Sequence, residues 1–230
     1  MLRLAERVRN AQRARKASYV MDRPEEIPLS YAQRRLWFLN KLEGPNSTYN
    51  VAHTIRLRGR LDVDALRQAV TDVVGRHEAL RTVFLEVDGE PYQRVVAPGV
   101  AHPLVTVLES EPDELPLELD MVSRHAFDLM VELPIRAHIF VVGPQEHVLL
   151  LVMHHIAADG WSLGPVMRDL AAAYTSRCAD AVPVWEPLPV QYVDYTLWQQ
   201  DLLGSADDPA SLLSSNSPSG ARRWPIFRRS

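Results

Sequence analysis

Residues 147–162 read HVLLLVMHHIAADGWS, and four side chains able to do chemistry fall together there: His154, His155, Asp159 and Ser162, with Gly160 after the acid. An imidazole can accept and return a proton near neutral pH, a carboxylate can steady it, and a glycine lets backbone approach a reacting atom. No cysteine and no His-x-His spacing nearby completes a metal set, so no metal is expected. Adjacent residues in a strand point to opposite faces, so His154 and His155 cannot both enter one site. One histidine is therefore expected in a cavity and the other packed or hydrogen-bonded behind it. Ser162 is placed to cap a helix, and Cys178 sits at a helix end without a partner, so nothing supplies a covalent nucleophile.

The elements that must position these groups follow from pattern. Residues 148–153 are a continuous apolar run, too short for a membrane span and suited to a strand buried on both faces. Residues 164–174 read as the helix after it. Upstream, Ser30 is an N-cap for a first helix over residues 30–42, with Ala32, Leu36, Trp37 and Leu39 expected inward. Val51, His53, Ile55 and Leu57 alternate with polar residues in a half-exposed strand. Asp62 caps a helix whose apolar face is Leu66, Ala69, Val70, Val73 and Val74. The cations Arg76 and His77 at its end suit the helix dipole. Residues 82–87 and 92–96 flank Asp88-Gly89-Glu90-Pro91 in a hairpin. Short strands at 104–108 and 135–142 surround a helix at 115–127. A final helix over 191–203 carries Tyr192, Tyr195 and Trp198 on one face, a spacing that core packing explains. Strands alternating with helices give an α/β sandwich.

Composition sets the limits. The 230 residues are 47% hydrophobic and 23% charged, as in an ordinary globular protein. Their single cysteine excludes an internal disulfide and suits a reducing cytoplasm. A net charge of −4 hides +5 on residues 1–23 and +4 on residues 216–230, which leaves −13 between them. An acidic body flanked by basic extensions is a poor nucleic-acid binder, and no run is long enough to span a membrane.

His154-His155-Ile156-Ala157-Ala158-Asp159-Gly160-Trp161-Ser162 resembles the HHxxxDGWS signature of condensation domains of nonribosomal peptide synthetases. These belong to the chloramphenicol-acetyltransferase-like superfamily, which shares HxxxD. Three more stretches resemble the family's motifs in order. SYAQRRLWFL at residues 30–39 is similar to SxAQxRLWxL, and RHEALRTVF at residues 76–84 to RHExLRTxF. Tyr192, Asp194, Trp198 and Gln199 fall on YxDxxxWQ. The resemblance covers residues 27–214.

The resemblance implies a chloramphenicol-acetyltransferase-like two-layer α/β sandwich, one lobe of the usual two. Residues 25–214 would form that N-terminal lobe, after a linker-like basic segment at 1–24 and before an irregular tail at 215–230. Read two bases out of frame with GC-rich codons, the tail can give Gln-Leu-Ala-Phe-Trp-Arg, so a frameshifted synthetase gene is expected. The implied activity is amide formation between aminoacyl or peptidyl thioesters in the biosynthesis of secondary metabolites such as antibiotics. His155 would be the base, His154 structural, and Gly160 an oxyanion donor. Asp159 would be held by Arg81 in a buried ion pair, with Trp161 and Ser162 supporting the site. No cofactor is expected in the chain. The substrates ride on phosphopantetheine arms of carrier proteins upstream and downstream, beside adjacent adenylation and carrier modules. A single lobe is expected to be weakly active or inactive alone and to self-associate through its exposed interface. The rival expectations are a stand-alone HxxxD acyltransferase completed by oligomerisation, and a non-catalytic remnant that only docks carrier proteins.

Overall fold

A computed structural model describes residues 22–204; the basic N-terminal segment up to residue 21 and the proposed frameshifted tail lie outside them. The first strand, β1 (Ile27–Pro28), leads to helix α1 (Tyr31–Glu43), then β2 (Asn50–Arg58) and α2 (Val63–Arg76). A 3-10 turn, Glu78–Arg81, passes into the hairpin β3 (Thr82–Val87) and β4 (Glu90–Val95), and a second, Pro98–Val100, follows it. Strand β5 (Leu104–Glu109), helix α3 (Leu115–Ser123), and strands β6 (Ile135–Gly143) and β7 (Glu146–His154) follow, then α4 (Leu163–Arg177) and α5 (Tyr192–Leu203).

The larger sheet has the order β2-β7-β6-β5, with β7 antiparallel to both neighbours and β5 parallel to β6. Strand parity assigns the two faces of β7. Leu149, Leu151 and Met153 join Ile135, Ala137 and Ile139 of β6 under α2 and α4, against Leu66, Val70, Val73, Val166 and Leu170. Val148, Leu150 and Val152 point the other way, into a cluster with Phe84, Leu115, Phe127 and Phe140. A strand covered on both faces is expected to be apolar, and β7 is apolar from Val148 to Met153. β1, β4 and β3 form a separate small sheet, which the sequence pattern does not foretell. The result is an α/β sandwich. Among the described residues no helix is long and apolar enough to cross a membrane.

Three sequence expectations change. Helix α3 stops at Ser123 rather than near 127, and Asn50 Nδ2 donates to the Ser123 and His125 carbonyls just beyond its end. In α1 only Gln33 is buried, although Leu36 and Trp37 reach the second cluster from its edge. In α5 the buried residues are Val193, Asp194 and Thr196, while Tyr192, Tyr195 and Trp198 form a row of tilted rings 5.5 and 5.8 Å apart, half-buried at Tyr192 and Trp198 and exposed at Tyr195. The apolar stripe of α1 lines a pocket through Ala32, Leu36 and Leu39, and of the α5 row Tyr192 reaches it.

Candidate active site

Two backbone bonds hold the end of β7 from opposite sides. The His154 N–H donates to the Pro134 carbonyl at 3.0 Å, on the β6 side. The His155 N–H donates to the Tyr49 carbonyl at 2.8 Å, on the β2 side. The side chains diverge as strand alternation requires. His154 has even parity, so it lies with Phe127 in the second cluster and is 0% exposed. His155 is exposed and lines a pocket of about 630 Å³.

The hydrogen bonds give the two rings opposite tautomers. His155 Nδ1 is 2.8 Å from the Ala158 carbonyl, which can only accept, so Nδ1 carries the proton and Nε2 keeps its lone pair. His154 Nδ1 accepts from the Ile156 N–H at 3.1 Å, so its proton sits on Nε2, buried without a hydrogen-bond acceptor beside the Phe127 edge. Burial, with the neighbouring His155 as a smaller cause, pushes the His154 pKa down to about 4. His154 is therefore neutral over the physiological range. His155 offers a basic nitrogen to whatever enters the pocket.

The segment after the histidines is a turn held by its own side chains. Asp159 Oδ1 accepts from the Trp161 N–H at 3.1 Å and the Ser162 N–H at 2.9 Å. The Ser162 hydroxyl accepts from the Asp159 N–H and donates to the Asp159 carbonyl. Ser162 does precede α4, but it makes no side-chain bond to the helix, because its hydroxyl is already committed to the turn. Gly160 is exposed beside the pocket and not on its wall; a methyl group there would meet nothing within 4 Å. Trp161 is 91% exposed at the rim.

The expected ion pair between Arg81 and Asp159 is absent from this structure. Arg81 is buried, at 7% exposure, but its guanidinium donates to the Gly75 and Val96 carbonyls and lies 3.6 Å from Glu78. The physical reason lies in what surrounds each group. The last carbonyls of α2 lack intrahelical partners and draw in a cation. Asp159, exposed and satisfied by two backbone N–H groups, needs none.

The other motif residues likewise brace the scaffold. Arg76 Nε and His77 Nε2 both reach Asp169 Oδ2, at 2.7 and 2.8 Å, tying α2 to α4 more specifically than a helix dipole would. Glu78 and the buried Asp194 share Arg23, while Gln191 takes the Glu78 N–H and donates to the Arg76 carbonyl. These bonds fix the start of α5 and with it Tyr192. The Tyr192 hydroxyl is 3.0 Å from the capping hydroxyl of Ser30, and burial pushes its pKa up.

The far wall of the pocket is α1, through Ala32, Arg35, Leu36 and Leu39, with Tyr49 and Tyr192 at the sides. Arg35 and Tyr49 escape a reading of the sequence alone, and Tyr192 is marked there by its motif but read as a packing residue. Arg35 carried a signal: it sits at the i+3 position of the stripe 32, 35, 36, 39, and a guanidinium in an apolar stripe marks a pocket wall rather than a core. The pocket thus offers an imidazole nitrogen able to accept a proton, a guanidinium and an apolar wall.

A family model described as Condensation domain matches residues 24–210. The chain is 52% identical over 204 residues to a dimodular nonribosomal peptide synthase of Bacillus subtilis, covering 89% of this chain and 9% of that one. It is 53% identical over 196 residues to an isonitrile lipopeptide synthase of Mycobacterium tuberculosis, covering 84% and 8%. Among solved structures, the X-domain from teicoplanin biosynthesis superposes with a TM-score of 0.78 at 37% identity, over 86% of this chain and 43% of that one. The chain therefore spans under a tenth of these two relatives and less than half of the matched X-domain chain.

Proposed function

The chain belongs to the condensation-domain family, and from that premise we propose that it forms the amide bond between two carrier-bound thioesters in nonribosomal peptide synthesis. The observation that carries this is the His155 ring. Its Nδ1–H is spent on the Ala158 carbonyl, and its Nε2 lone pair is left at the wall of a pocket large enough for an acyl group.

The chemistry asked of the protein is modest. A thioester is already activated, and an α-amine with a pKa of about 7.7–8.0 is partly neutral near pH 7–8. The amine nitrogen attacks the thioester carbonyl, Nε2 of His155 accepts a proton from that nitrogen, and the C–S bond breaks. The thiolate then takes the proton back from His155, so one amide and one thiol replace one amine and one thioester. General-base help of this kind contributes about 10²–10⁴-fold. The exposed Gly160 N–H is the proposed donor to the oxyanion. His154 is a scaffold group: its hydrogen bond to the Ile156 N–H fixes the backbone that aims His155. Asp159, Trp161 and Ser162 shape the turn, and Arg81 braces the scaffold behind it.

The substrates would arrive on phosphopantetheine arms of an upstream and a downstream carrier protein, so the arms are substrate carriers and not a cofactor of this chain. Trp161 at 91% exposure, with Phe38 and Leu42 exposed along α1, supports a second wall for the pocket. The remainder of a two-lobed domain would supply it; in the rival arrangement a second copy would, as in a stand-alone acyltransferase. The test is dipeptidyl thioester formation from two loaded carrier proteins. It is run with the chain alone and with the chain continued by the remainder of a relative's domain, each with and without His155→Ala. Product that depends on His155 is expected with the continued chain, and equal product from the variant overturns the assignment. Sedimentation of the chain alone reports self-association.

A further inference from the structure

Beside the His155 pocket lies a second hollow of about 260 Å³, where the turn Glu78–Arg81, the start of α4 and the segment entering α5 meet. The two share four wall residues: Ala157, Ala158, Ser162 and Tyr192. Resting on the function above, we propose that this hollow is a side-chain subsite, which takes the uncharged, apolar side chain of the aminoacyl thioester reacting at His155.

The walls decide the chemistry. Leu80, Val166, Leu188 and Val190 present hydrocarbon. Each polar side chain on the lining already has a partner. His77 is bound to Asp169, the Gln191 amide to the Glu78 N–H and the Arg76 carbonyl, the Tyr192 hydroxyl to Ser30, and the Ser162 hydroxyl to the Asp159 backbone. A charged or polar group entering would lose water and find these side chains already engaged, which is unfavourable. An apolar group entering loses nothing of the kind. The neighbouring pocket differs: there His155 Nε2 and Arg35 have no hydrogen-bond or ion-pair partner among the described residues.

Size points the same way. Pockets for whole small molecules run from about 300 to 1,000 Å³, a range that holds the His155 pocket but not this hollow. One side chain fits it; a whole ligand does not. The two hollows meet at Ala157, Ala158, Ser162 and Tyr192, so three of the four residues between the reacting groups and the subsite are small.

The experiment is an NMR titration of the full chain with three stable amide analogues of aminoacyl-pantetheine, carrying glycine, leucine and glutamate. The leucyl analogue is expected to bind about tenfold or more tighter than the other two, in line with pockets that gain tenfold or more per methylene. The shifts it causes are expected to extend to Leu188 and Val190. Both residues are only half-buried and lie on a connecting segment, so Leu188→Trp and Val190→Trp can fill the hollow without rebuilding the core. Each is expected to abolish the leucyl preference and leave glycyl binding unchanged. With a fourth, phenylalanyl analogue added to the set, Val190→Ala is expected to move the preference toward it. Equal binding of the leucyl and glycyl analogues overturns the subsite, as does a leucyl preference that survives both tryptophan variants, or no binding by any analogue. Amide formation that still depends on His155 would then show that the subsite alone had failed.

Discussion

His154 and His155 are neighbours in sequence and opposites in environment. One lies in the cluster under Phe127, with its Nδ1 accepting and its pKa pushed down to about 4. The other stands in an open pocket, with its Nδ1 donating and its Nε2 free. The contrast teaches how a strand end divides a doublet: parity sends one ring into packing, and each ring's nearest backbone partner then sets its tautomer. The buried ring also holds the Ile156 N–H, and so the backbone that follows the exposed ring.

Experiments that push on each ring separately would break or sharpen the contrast. The largest effect is expected from His155→Ala, which should lower amide formation by about 10²–10⁴-fold and leave the thermal midpoint almost unmoved, since the side chain is exposed. An equal loss of stability and activity would mean that the exposed ring is also structural. His154→Ala should do the reverse first. It leaves a cavity and strands the Ile156 N–H, so urea unfolding should show a loss of about 2–4 kcal/mol.

Acid should expose the same asymmetry. The folded-state pKa of His154 is below the unfolded value of about 6.5, so the unfolded chain binds the proton first. Stability is complete above pH 6.5 and declines as pH falls toward about 4, by about 3 kcal/mol from this group alone. Unfolding curves between those pH values should show the decline in wild type and a shallower one in His154→Gln. A parallel decline in both would assign the loss to other groups.

The smallest effect concerns the turn behind His155. Asp159→Asn keeps the oxygen that accepts from the Trp161 and Ser162 N–H groups, so it should cost little stability. Asp159→Ala removes that acceptor and should cost about 1 kcal/mol, as loss of a side-chain turn bond does. If Asp159→Asn were as damaging as Asp159→Ala, the charge would matter more than the turn, and an ion pair would have to be sought again.

Much of this molecule can be read locally. The alternation in β2, the apolar stripe of α2, the Asp88-Gly89 turn of the hairpin and the unbroken apolar run of β7 each announce their element, because each buries a face at its own period. The stripe of α1 misleads for a physical reason. Ala32, Leu36 and Leu39 are apolar whether they face a core or a pocket, and only Arg35 among them told the two apart. The row Tyr192, Tyr195 and Trp198 also misleads, since the buried residues of its helix are Val193, Asp194 and Thr196.

By itself the sequence determined the elements, the family motifs and the divergence of the two histidines, since all three depend on neighbours within a few residues along the chain. Tertiary structure alone decided which group each polar side chain would meet. Arg81 is long enough to reach several acceptors, and it ended on the Gly75 and Val96 carbonyls because packing brought those orphaned oxygens beside it. Asp159 was left to the N–H groups of its own turn. A periodic pattern encodes the direction in which a residue faces, but the partner found there depends on where distant segments come to rest.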